Sequence, residues 1–240
     1  MQVYNWLKKL PSLFYPPLCL LCGATGDQDR DLCADCAADL SHNLHPCACC
    51  ALPLPPGSPS DALCGACCRK PPAFDRCYTA LQYDDNIGFL ISGLKFHHKL
   101  NHARLLSRLL LDYLKQQSAP LPDLILPVPL HRQRLRERGY NQSLEIARPI
   151  GRHFGIPVTP RLCRRMRATP AQTGLDRKTR RKNLRQAFQL SGEVEGQSIA
   201  LLDDVVTTGS TVTELARLLK RSGAARVDVW AVARTPDDRR

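Results

Sequence analysis

The chain has 240 residues, of which 43% are hydrophobic and 23% are charged, a composition that supports a folded core and excludes global disorder. No run approaches the roughly 18 uninterrupted apolar residues of a membrane span. The first residues carry their charges late and no long apolar stretch follows, a pattern that disfavours a secretory signal. The sequence therefore predicts a cytoplasmic protein without a membrane span, and its length predicts one full domain plus a small one.

The charge is concentrated in one part of the chain. The 34 lysines and arginines exceed the 22 aspartates and glutamates by 12. Residues 131–185 alone hold 16 basic and 3 acidic residues, whereas residues 1–72 hold 5 basic and 6 acidic residues. The positive charge is therefore local, and it favours an anionic partner bound beside that segment.

Ten of the 12 cysteines lie in residues 1–68, mostly as Cys-x-x-Cys pairs. A two-residue gap directs both thiolates of a pair at one metal ion, and two pairs complete the tetrahedral sulfur site that structural zinc prefers. In a reducing cytosol this density indicates metal ligands rather than disulfides. We therefore predict a zinc-ribbon module over residues 1–72 that holds structural Zn²⁺, most simply two ions. The candidate ligands are Cys19, Cys22, Cys33, Cys36, Cys47, Cys50, Cys64 and Cys67.

The spacing leaves the pairing of these ligands open. In the simplest arrangement the first two pairs share one zinc ion and the last two share the other, but an interleaved arrangement uses the same cysteines. Cys49 and Cys68 stand beside ligand cysteines and are interpreted as spare thiols. Redox chemistry is disfavoured because a redox Cys-x-x-Cys normally stands alone near a βαβ unit.

Residues 73–240 are predicted to form a doubly wound parallel-sheet α/β domain, separated from the ribbon by the prolines near residue 72. Amphipathic patterns predict helices at 86–98, 102–117 and 211–222. Short apolar runs predict strands at 124–128, 199–202 and 227–232. Open α/β sheets bind ligands at the carboxyl ends of their strands, so the cleft is expected at that edge.

The basic segment follows the strand at 124–128 and a rigid Pro127-Val-Pro129 turn. Beyond a helix, residues 164–175 indicate a strand end and a mobile loop, and a basic helix and a short strand at Phe188 follow. Arginine guanidinium groups bind phosphate oxygens in pairs, so the segment favours an anion cradle for pyrophosphate or for a nucleic-acid backbone. Base stacking is weakly supported, because Phe96 and Tyr140 are the only aromatic residues near basic clusters in the sequence.

The stretch Ile199-Ala-Leu-Leu-Asp-Asp-Val-Val-Thr-Thr-Gly-Ser-Thr211 combines a buried strand, an acidic pair, a hydroxyl-rich loop and a helix start. Backbone N–H groups and hydroxyls can surround a phosphate at the positive end of the helix dipole. The acidic pair can accept hydrogen bonds from sugar hydroxyls. The stretch is not a Walker loop, because no Gly-Lys-Ser/Thr follows the glycine.

This stretch resembles the phosphoribosyl-pyrophosphate (PRPP) signature of type I phosphoribosyltransferases. The resemblance implies that Asp203 and Asp204 are the catalytic pair and bind the ribose hydroxyls, with Mg²⁺ accompanying PRPP. It implies a 5-phosphate loop made of Thr207, Thr208, Gly209, Ser210 and Thr211. By the same resemblance the pyrophosphate is met by Arg138, Asn141 and Gln142, and the lid contains Thr169, Gln172 and Gly174.

The order of these features resembles the competence-protein F (ComF) family, in which a zinc ribbon precedes a phosphoribosyltransferase-like domain. The resemblance covers nearly the whole chain. Beside the cysteine pairs and the acidic turn, it rests on Leu94-Lys-Phe96, Pro127-Val-Pro-Leu130, Arg138-Gly-Tyr-Asn-Gln142 and Arg181-Lys-Asn-Leu184. Two positions depart from the family pattern: Phe96 stands where tyrosine is usual, and Ala48 replaces the usual proline. Neither change removes a candidate ligand.

The resemblance implies handling of single-stranded DNA in natural transformation or in the use of DNA as a nutrient. It also implies partners among DNA-uptake proteins, such as a helicase. We interpret the chain as an accessory protein that binds PRPP, or a related phosphosugar or nucleotide, together with single-stranded DNA. Because fold does not settle function, two alternatives remain open. One is an active phosphoribosyltransferase with an unidentified acceptor, and the other is a zinc-ribbon adaptor that bridges protein partners.

Overall fold

The structure is a computed structural model that describes residues 17–27, 31–117, 120–166 and 187–236. Its strands are β1 (Arg76–Gln82), β2 (Leu124–Pro127), β3 (Cys163–Arg165), β4 (Phe188–Leu190), β5 (Ser198–Val206) and β6 (Arg226–Arg234). Its helices are α1 (Ala34–Ala38), α2 (Gly65–Arg69), α3 (Asp85–Phe96), α4 (Leu100–Gln116), α5 (Arg132–Arg138), α6 (Gln142–Phe154) and α7 (Ser210–Arg221).

Four strands form a parallel sheet in the order β1-β6-β5-β2. Strand β6 is almost entirely buried, as expected for a parallel sheet whose two faces are both covered. The strands predicted at 124–128, 199–202 and 227–232 correspond to β2, β5 and β6. The sheet and its helices confirm the α/β fold class, and β5 ends at the predicted site.

Side chains of the sheet alternate between two buried clusters, one on each face. Along β5, for example, Ala200 and Leu202 face the first cluster, whereas Ile199 and Leu201 face the second. Helices α3, α4 and α6 supply the first cluster, and α7 supplies the second. This period of two is the geometry of an extended strand, and it explains why the apolar runs in the sequence are continuous.

The predicted helices at 86–98, 102–117 and 211–222 correspond to α3, α4 and α7, with ends that differ by at most two residues. Helix α3 begins where the Asp84 carboxylate accepts a hydrogen bond from Ile87 N at 2.9 Å, which satisfies one free N–H group of the first turn. The helix ends before His98, whose φ of 55° lies outside the helical region.

The basic segment contains a helix that the sequence did not predict. The sequence assigned no secondary structure to residues 132–138, which follow the rigid turn, but they form α5, which ends at Gly139 with a φ of 77°. Further along, β3 and β4 pair as a separate antiparallel sheet, in agreement with the short strand predicted from Phe188. The loop and basic helix predicted within 167–186 lie outside the described residues.

The cysteine-rich module docks on the outer edge of β1 through backbone hydrogen bonds. Asn43 N donates to Ala80 O at 3.1 Å, and Gln82 N donates to Ser41 O at 2.8 Å. Closer to the start of β1, Cys77 N donates to Cys49 O at 2.8 Å. The module therefore covers backbone groups that an edge strand would otherwise leave unpaired. The division predicted after residue 72 stays a prediction.

Candidate functional site

The acidic pair lies near the carboxyl end of β5, next to the loop that leads into α7. Asp204 is only 2% exposed and forms an ion pair with Lys95, with 2.5 Å between Nζ and a carboxylate oxygen. Lys95 belongs to the last turn of α3. Gln142 Nε2, at the start of α6, also donates to Asp204, at 3.4 Å. Three separate elements therefore meet at this carboxylate.

Asp203 has different partners from its neighbour. One of its carboxylate oxygens accepts hydrogen bonds from Ser143 Oγ and from Asp204 N, both at 3.0 Å. Burial, followed by the adjacent charge of Asp204, raises the pKa of Asp203 to about 8. Burial acts on Asp204 as well, but the charge of Lys95 outweighs it and holds the pKa of Asp204 below its usual value. At neutral pH the pair therefore keeps one proton, and its remaining negative charge faces Lys95.

The predicted phosphate loop connects the end of β5 to the first turn of α7. Gly209 has a φ of 69°, a left-handed conformation that favours glycine. The hydroxyl oxygens of Thr208 and Ser210 lie 2.8 Å apart. The first N–H groups of α7, including that of Thr211, have no partner within the helix and lie at the positive end of its dipole. The loop thus offers hydroxyl and N–H donors of the kind that bind a phosphate.

The three residues predicted to meet a pyrophosphate do not share one role. Arg138, at the end of α5, donates to Gln142 Oε1, and Gln142 in turn reaches Asp204. Asn141 instead stabilises the turn, because its side chain donates to Val128 O at 3.1 Å and accepts from Ser143 N at 3.0 Å. The structure therefore brings Gln142 to the acidic pair and places Arg138 behind it, while Asn141 caps the helix that presents Gln142. The predicted lid residues Thr169, Gln172 and Gly174 lie outside the described residues.

Two residues of this arrangement were not named as site residues from the sequence. Lys95 comes from a distant helix, and only its place in the Leu94-Lys-Phe96 motif could have indicated it. Ser143 directly follows Gln142, so a search of the residues around the basic segment for buried hydroxyls could have found it. Both contact the acidic pair directly.

An exposed surface beside the cleft combines aromatic rings with basic side chains. Phe96 and Phe89 project from α3 with 68% and 48% of their surface exposed. The Arg138 guanidinium carbon lies 5.9 Å from the centre of the Phe96 ring, and Lys99 Nζ lies 5.4 Å from that of Phe89. His98 completes the set through an edge contact with Tyr140, with 6.1 Å between the ring centres. We call Phe89, Phe96, His98, Lys99 and Arg138 the aromatic–basic surface.

The eight candidate metal ligands form two groups of four, in the sequential arrangement. In each group the sulfur atoms all lie within 4.8 Å of one another. The first tetrad is Cys19, Cys22, Cys33 and Cys36, and the second tetrad is Cys47, Cys50, Cys64 and Cys67. Cys49 and Cys68 belong to neither group among the described residues.

The geometry of both tetrads fits zinc. A tetrahedral site with Zn–S bonds of about 2.3 Å places its sulfur atoms about 3.8 Å apart. The Sγ atoms of Cys22 and Cys33 are 3.7 Å apart, and those of Cys50 and Cys64 are 3.6 Å apart. In the second tetrad, hydrogen bonding from the Cys50 thiol lowers the pKa of Cys47 to about 4, and this outweighs burial. The donor set and its spacing are therefore those of two structural zinc sites.

Comparison with known proteins finds both kinds of domain in the chain. Residues 10–68 match a family model described as a double zinc ribbon domain, and residues 143–240 match one described as a phosphoribosyl transferase domain. DNA utilization protein YhgH of Escherichia coli O157:H7 is 37% identical over 235 residues, which are 96% of this chain and 96% of that protein. Competence protein F of Haemophilus influenzae is 36% identical over 178 residues, 71% of this chain and 78% of that protein.

The chain belongs to the competence-protein F family. The double-ribbon match and the two tetrads together indicate two zinc ions in this ComF-family chain. Among solved structures, a purine phosphoribosyltransferase from Pyrococcus horikoshii is 16% identical with a TM-score of 0.33, over 55% of this chain and 71% of that one. A likeness this distant carries no argument about activity. Within the described ranges, no helix has both the length and the apolar character needed to cross a membrane.

Proposed function

We propose that the cleft binds PRPP, or a related phosphosugar or nucleotide, as part of DNA uptake or DNA utilization in the cytoplasm. The observation that carries this proposal is the acidic pair directly before a hydroxyl-rich loop and a helix start. Carboxylates suit sugar hydroxyls, and the loop suits a phosphate. Arg138 and Lys95 add positive charge where a pyrophosphate with its Mg²⁺ would lie. The relatives' names support the setting, since they describe DNA utilization and competence.

Calorimetric titration with PRPP, with and without Mg²⁺, tests this proposal. Wild-type protein should bind, and Asp203→Asn should weaken binding roughly 2- to 10-fold, the loss expected for one hydrogen bond between neutral groups, because Asp203 keeps its proton at neutral pH. The variant keeps an oxygen that can accept from Ser143, so its fold should be retained. Asp61→Asn, which changes an exposed carboxylate of the ribbon, serves as the control. If PRPP binds neither with Mg²⁺ nor without it, the proposal is contradicted.

We further propose that the aromatic–basic surface binds single-stranded DNA. Unpaired bases stack on exposed aromatic rings, while neighbouring cations neutralise phosphates. Phe89 and Phe96 lie on the same helix seven residues apart and therefore on one face, each with a cation over its ring. Lys95, beside Phe96, pairs with Asp204, and Arg138 is linked to Asp204 through Gln142, so a strand on this surface would pass the mouth of the cleft.

Fluorescence anisotropy with a labelled oligothymidylate measures this contact. Phe96→Ala should weaken binding about 5- to 100-fold, the range for loss of one base–aromatic stack. Leu44→Ala removes an equally exposed apolar side chain from the ribbon and should leave binding unchanged. Affinity should also fall as salt concentration rises. If Phe96→Ala and Leu44→Ala behave alike, this surface is not the binding site.

A further inference from the structure

A buried arginine joins the second cysteine tetrad to the phosphate loop. Arg234, the last residue of β6, is 7% exposed. Its Nε donates to Cys50 O at 3.1 Å. Its terminal nitrogen donates to Val206 O at 2.9 Å and also to Thr207 O. One planar guanidinium therefore binds the backbone of a candidate zinc ligand and the backbone of the first phosphate-loop residues.

The rigidity of this connection follows from the chemistry of arginine. The N–H groups of a guanidinium lie in one plane with fixed angles, so carbonyl groups that bind it cannot move independently. A lysine would offer a single mobile nitrogen in place of this planar group. Arg234 also pairs with Val206 in the sheet register, which anchors its backbone beside the loop. The position of Cys50 O and the start of the loop are thus set together.

Packing around the same tetrad strengthens the connection. Ala51, which follows Cys50, is fully buried and lies in the same apolar cluster as Val206 and Val212, at the two ends of the phosphate loop. Ala51 has a φ of 54°, an uncommon conformation for a residue with a Cβ. Two hydrogen bonds hold it there: its N donates to Cys47 O at 2.9 Å, and its O accepts from Asn43 Nδ2 at 2.8 Å.

The first tetrad has no comparable connection among the described residues. Cys19 packs into the cluster on the opposite face of the sheet, with Leu32 and residues of α4. An ion pair links this part of the ribbon to α4, with 2.5 Å between a guanidinium nitrogen of Arg104 and a carboxylate oxygen of Asp31. The Arg104 side chain is largely exposed to solvent. Variants of the first tetrad can therefore serve as controls for variants of the second, because only the second tetrad contacts Arg234 among the described residues.

We propose that metal binding at the second tetrad and anion binding at the phosphate loop are coupled through Arg234, which acts as a positioning residue. Bound zinc holds the backbone of residues 47–50 in one conformation, and this positions Cys50 O. Through Arg234, Cys50 O in turn positions the carbonyl groups of Val206 and Thr207. The phosphate loop is then already in the conformation that binds an anion. Coupling between two sites is reciprocal, so the anion also raises the zinc affinity of the second tetrad. The anion half of this inference rests on the proposed phosphosugar binding.

The main test compares Cys67→Ser in the second tetrad with Cys36→Ser in the first. Each variant should retain one zinc ion per chain by metal analysis. PRPP affinity should fall about tenfold in Cys67→Ser, within the range usual for coupled sites, and should stay near wild type in Cys36→Ser. Arg234→Lys should lose affinity to a similar extent while keeping both zinc ions. Equal affinities in the two cysteine variants would overturn the coupling.

Two further measurements keep the outcome clear if a variant unfolds or if PRPP does not bind. In unmodified protein, PRPP should slow the release of one of the two zinc ions to a colorimetric chelator, and no slowing would count against the coupling. In ligand-free protein, amide hydrogen exchange over residues 207–211 should be faster in Cys67→Ser than in Cys36→Ser. Failure of PRPP binding with this difference intact would remove the proposed function and leave the structural coupling standing.

Discussion

The two carboxylates of the acidic pair are chemically alike, but the fold gives them different neighbours. Asp204 faces Lys95, whose charge holds its pKa low despite burial. Asp203 has hydrogen bonds but no cation within bonding distance among the described residues, so burial and the charge of Asp204 raise its pKa. A buried carboxyl with a raised pKa favours the protonated form, and ionising it costs folding free energy.

Asp203→Asn should therefore stabilise the protein at alkaline pH. The pKa of Asp203 is about 8 in the folded protein and about 3.9 in the unfolded chain. The protonated carboxyl therefore contributes its full share of folding stability below about pH 3.9, and this stability is lost as the pH rises through about 8. Asparagine does not ionise and avoids this loss. The free energy of unfolding of the variant minus that of wild type should grow by at least about 1.4 kcal/mol over this window, the equivalent of one pKa unit. Denaturant unfolding at several pH values measures it.

The control for this prediction is Asp61→Asn, which replaces an exposed carboxylate of the ribbon. A difference for Asp203→Asn that stays constant or shrinks as pH rises would show that Asp203 is already ionised in the folded protein. Because the same variant is expected to weaken PRPP binding, it separates a loss of function from a loss of stability.

At the residue scale, the sequence predicts local sites well and distant contacts poorly. Asp203, Asp204 and Gly209 stand in one continuous stretch, so their motif is visible without the fold. Lys95 reaches the pair only because α3 ends beside the carboxyl edge of the sheet, and the Leu94-Lys-Phe96 motif does not show which residue the lysine contacts. Arg234 is similar, since a buried arginine at a strand end cannot be recognised from composition.

Among the elements, α3 and α4 approach each other closely at Gly93. A Cβ added to Gly93 of α3 would lie 2.4 Å from the His102 ring of α4. That ring is buried and cannot move away freely, because its Nδ1 lies 2.9 Å from Leu90 O in hydrogen-bond contact. The glycine therefore sets the distance between the helices, and it lies two residues before Lys95.

Gly93→Ala should destabilise the protein by about 1–3 kcal/mol, the usual cost of overpacking a core, even though alanine is the better helix former. Gly88→Ala in the same helix is the matched control. Its Cβ would meet only the side chain of Tyr83, at 3.3 Å, so it should be neutral or slightly stabilising. Thermal or urea unfolding compares them. Equal stabilities would show that His102 can shift at no cost.

Element boundaries differ from the predictions where the backbone hydrogen bonds of an element continue through polar residues. Strand β5 continues past the predicted end at residue 202 to Val206, since its backbone still pairs with β6 at Val205 and Val206. Asp203 and Asp204 interrupt the apolar run, so hydrophobicity alone does not show that the strand continues. Helix α5 is composed almost wholly of polar residues and has no apolar period to detect. The helix is therefore set by its place in the fold and by its end at Gly139, and not by a pattern in its own sequence.

At the scale of the whole molecule, the ribbon docks directly on the sheet domain. Three backbone hydrogen bonds join residues 41–49 to β1, and Ala51 shares a buried cluster with β5, β6 and α7. The order of modules could be predicted from the sequence, because cysteine spacing and the acidic turn are local. Their docking could not, since it depends on an edge strand and on carbonyl groups that carry no residue-specific signal.

Zinc removal should consequently lower the stability of the sheet as well as that of the ribbon. Trp230, at the centre of β6, is 2% exposed and reports on the sheet by fluorescence. With Trp6→Phe it becomes the only tryptophan of the chain. Three docking hydrogen bonds contribute about 1 kcal/mol each, and a chain of this size loses about 2–4 °C in Tm per kcal/mol. A strong chelator should therefore lower the Trp230 transition by roughly 6–12 °C, and added Zn²⁺ should restore it. An unchanged transition would mean that the sheet folds independently of the ribbon.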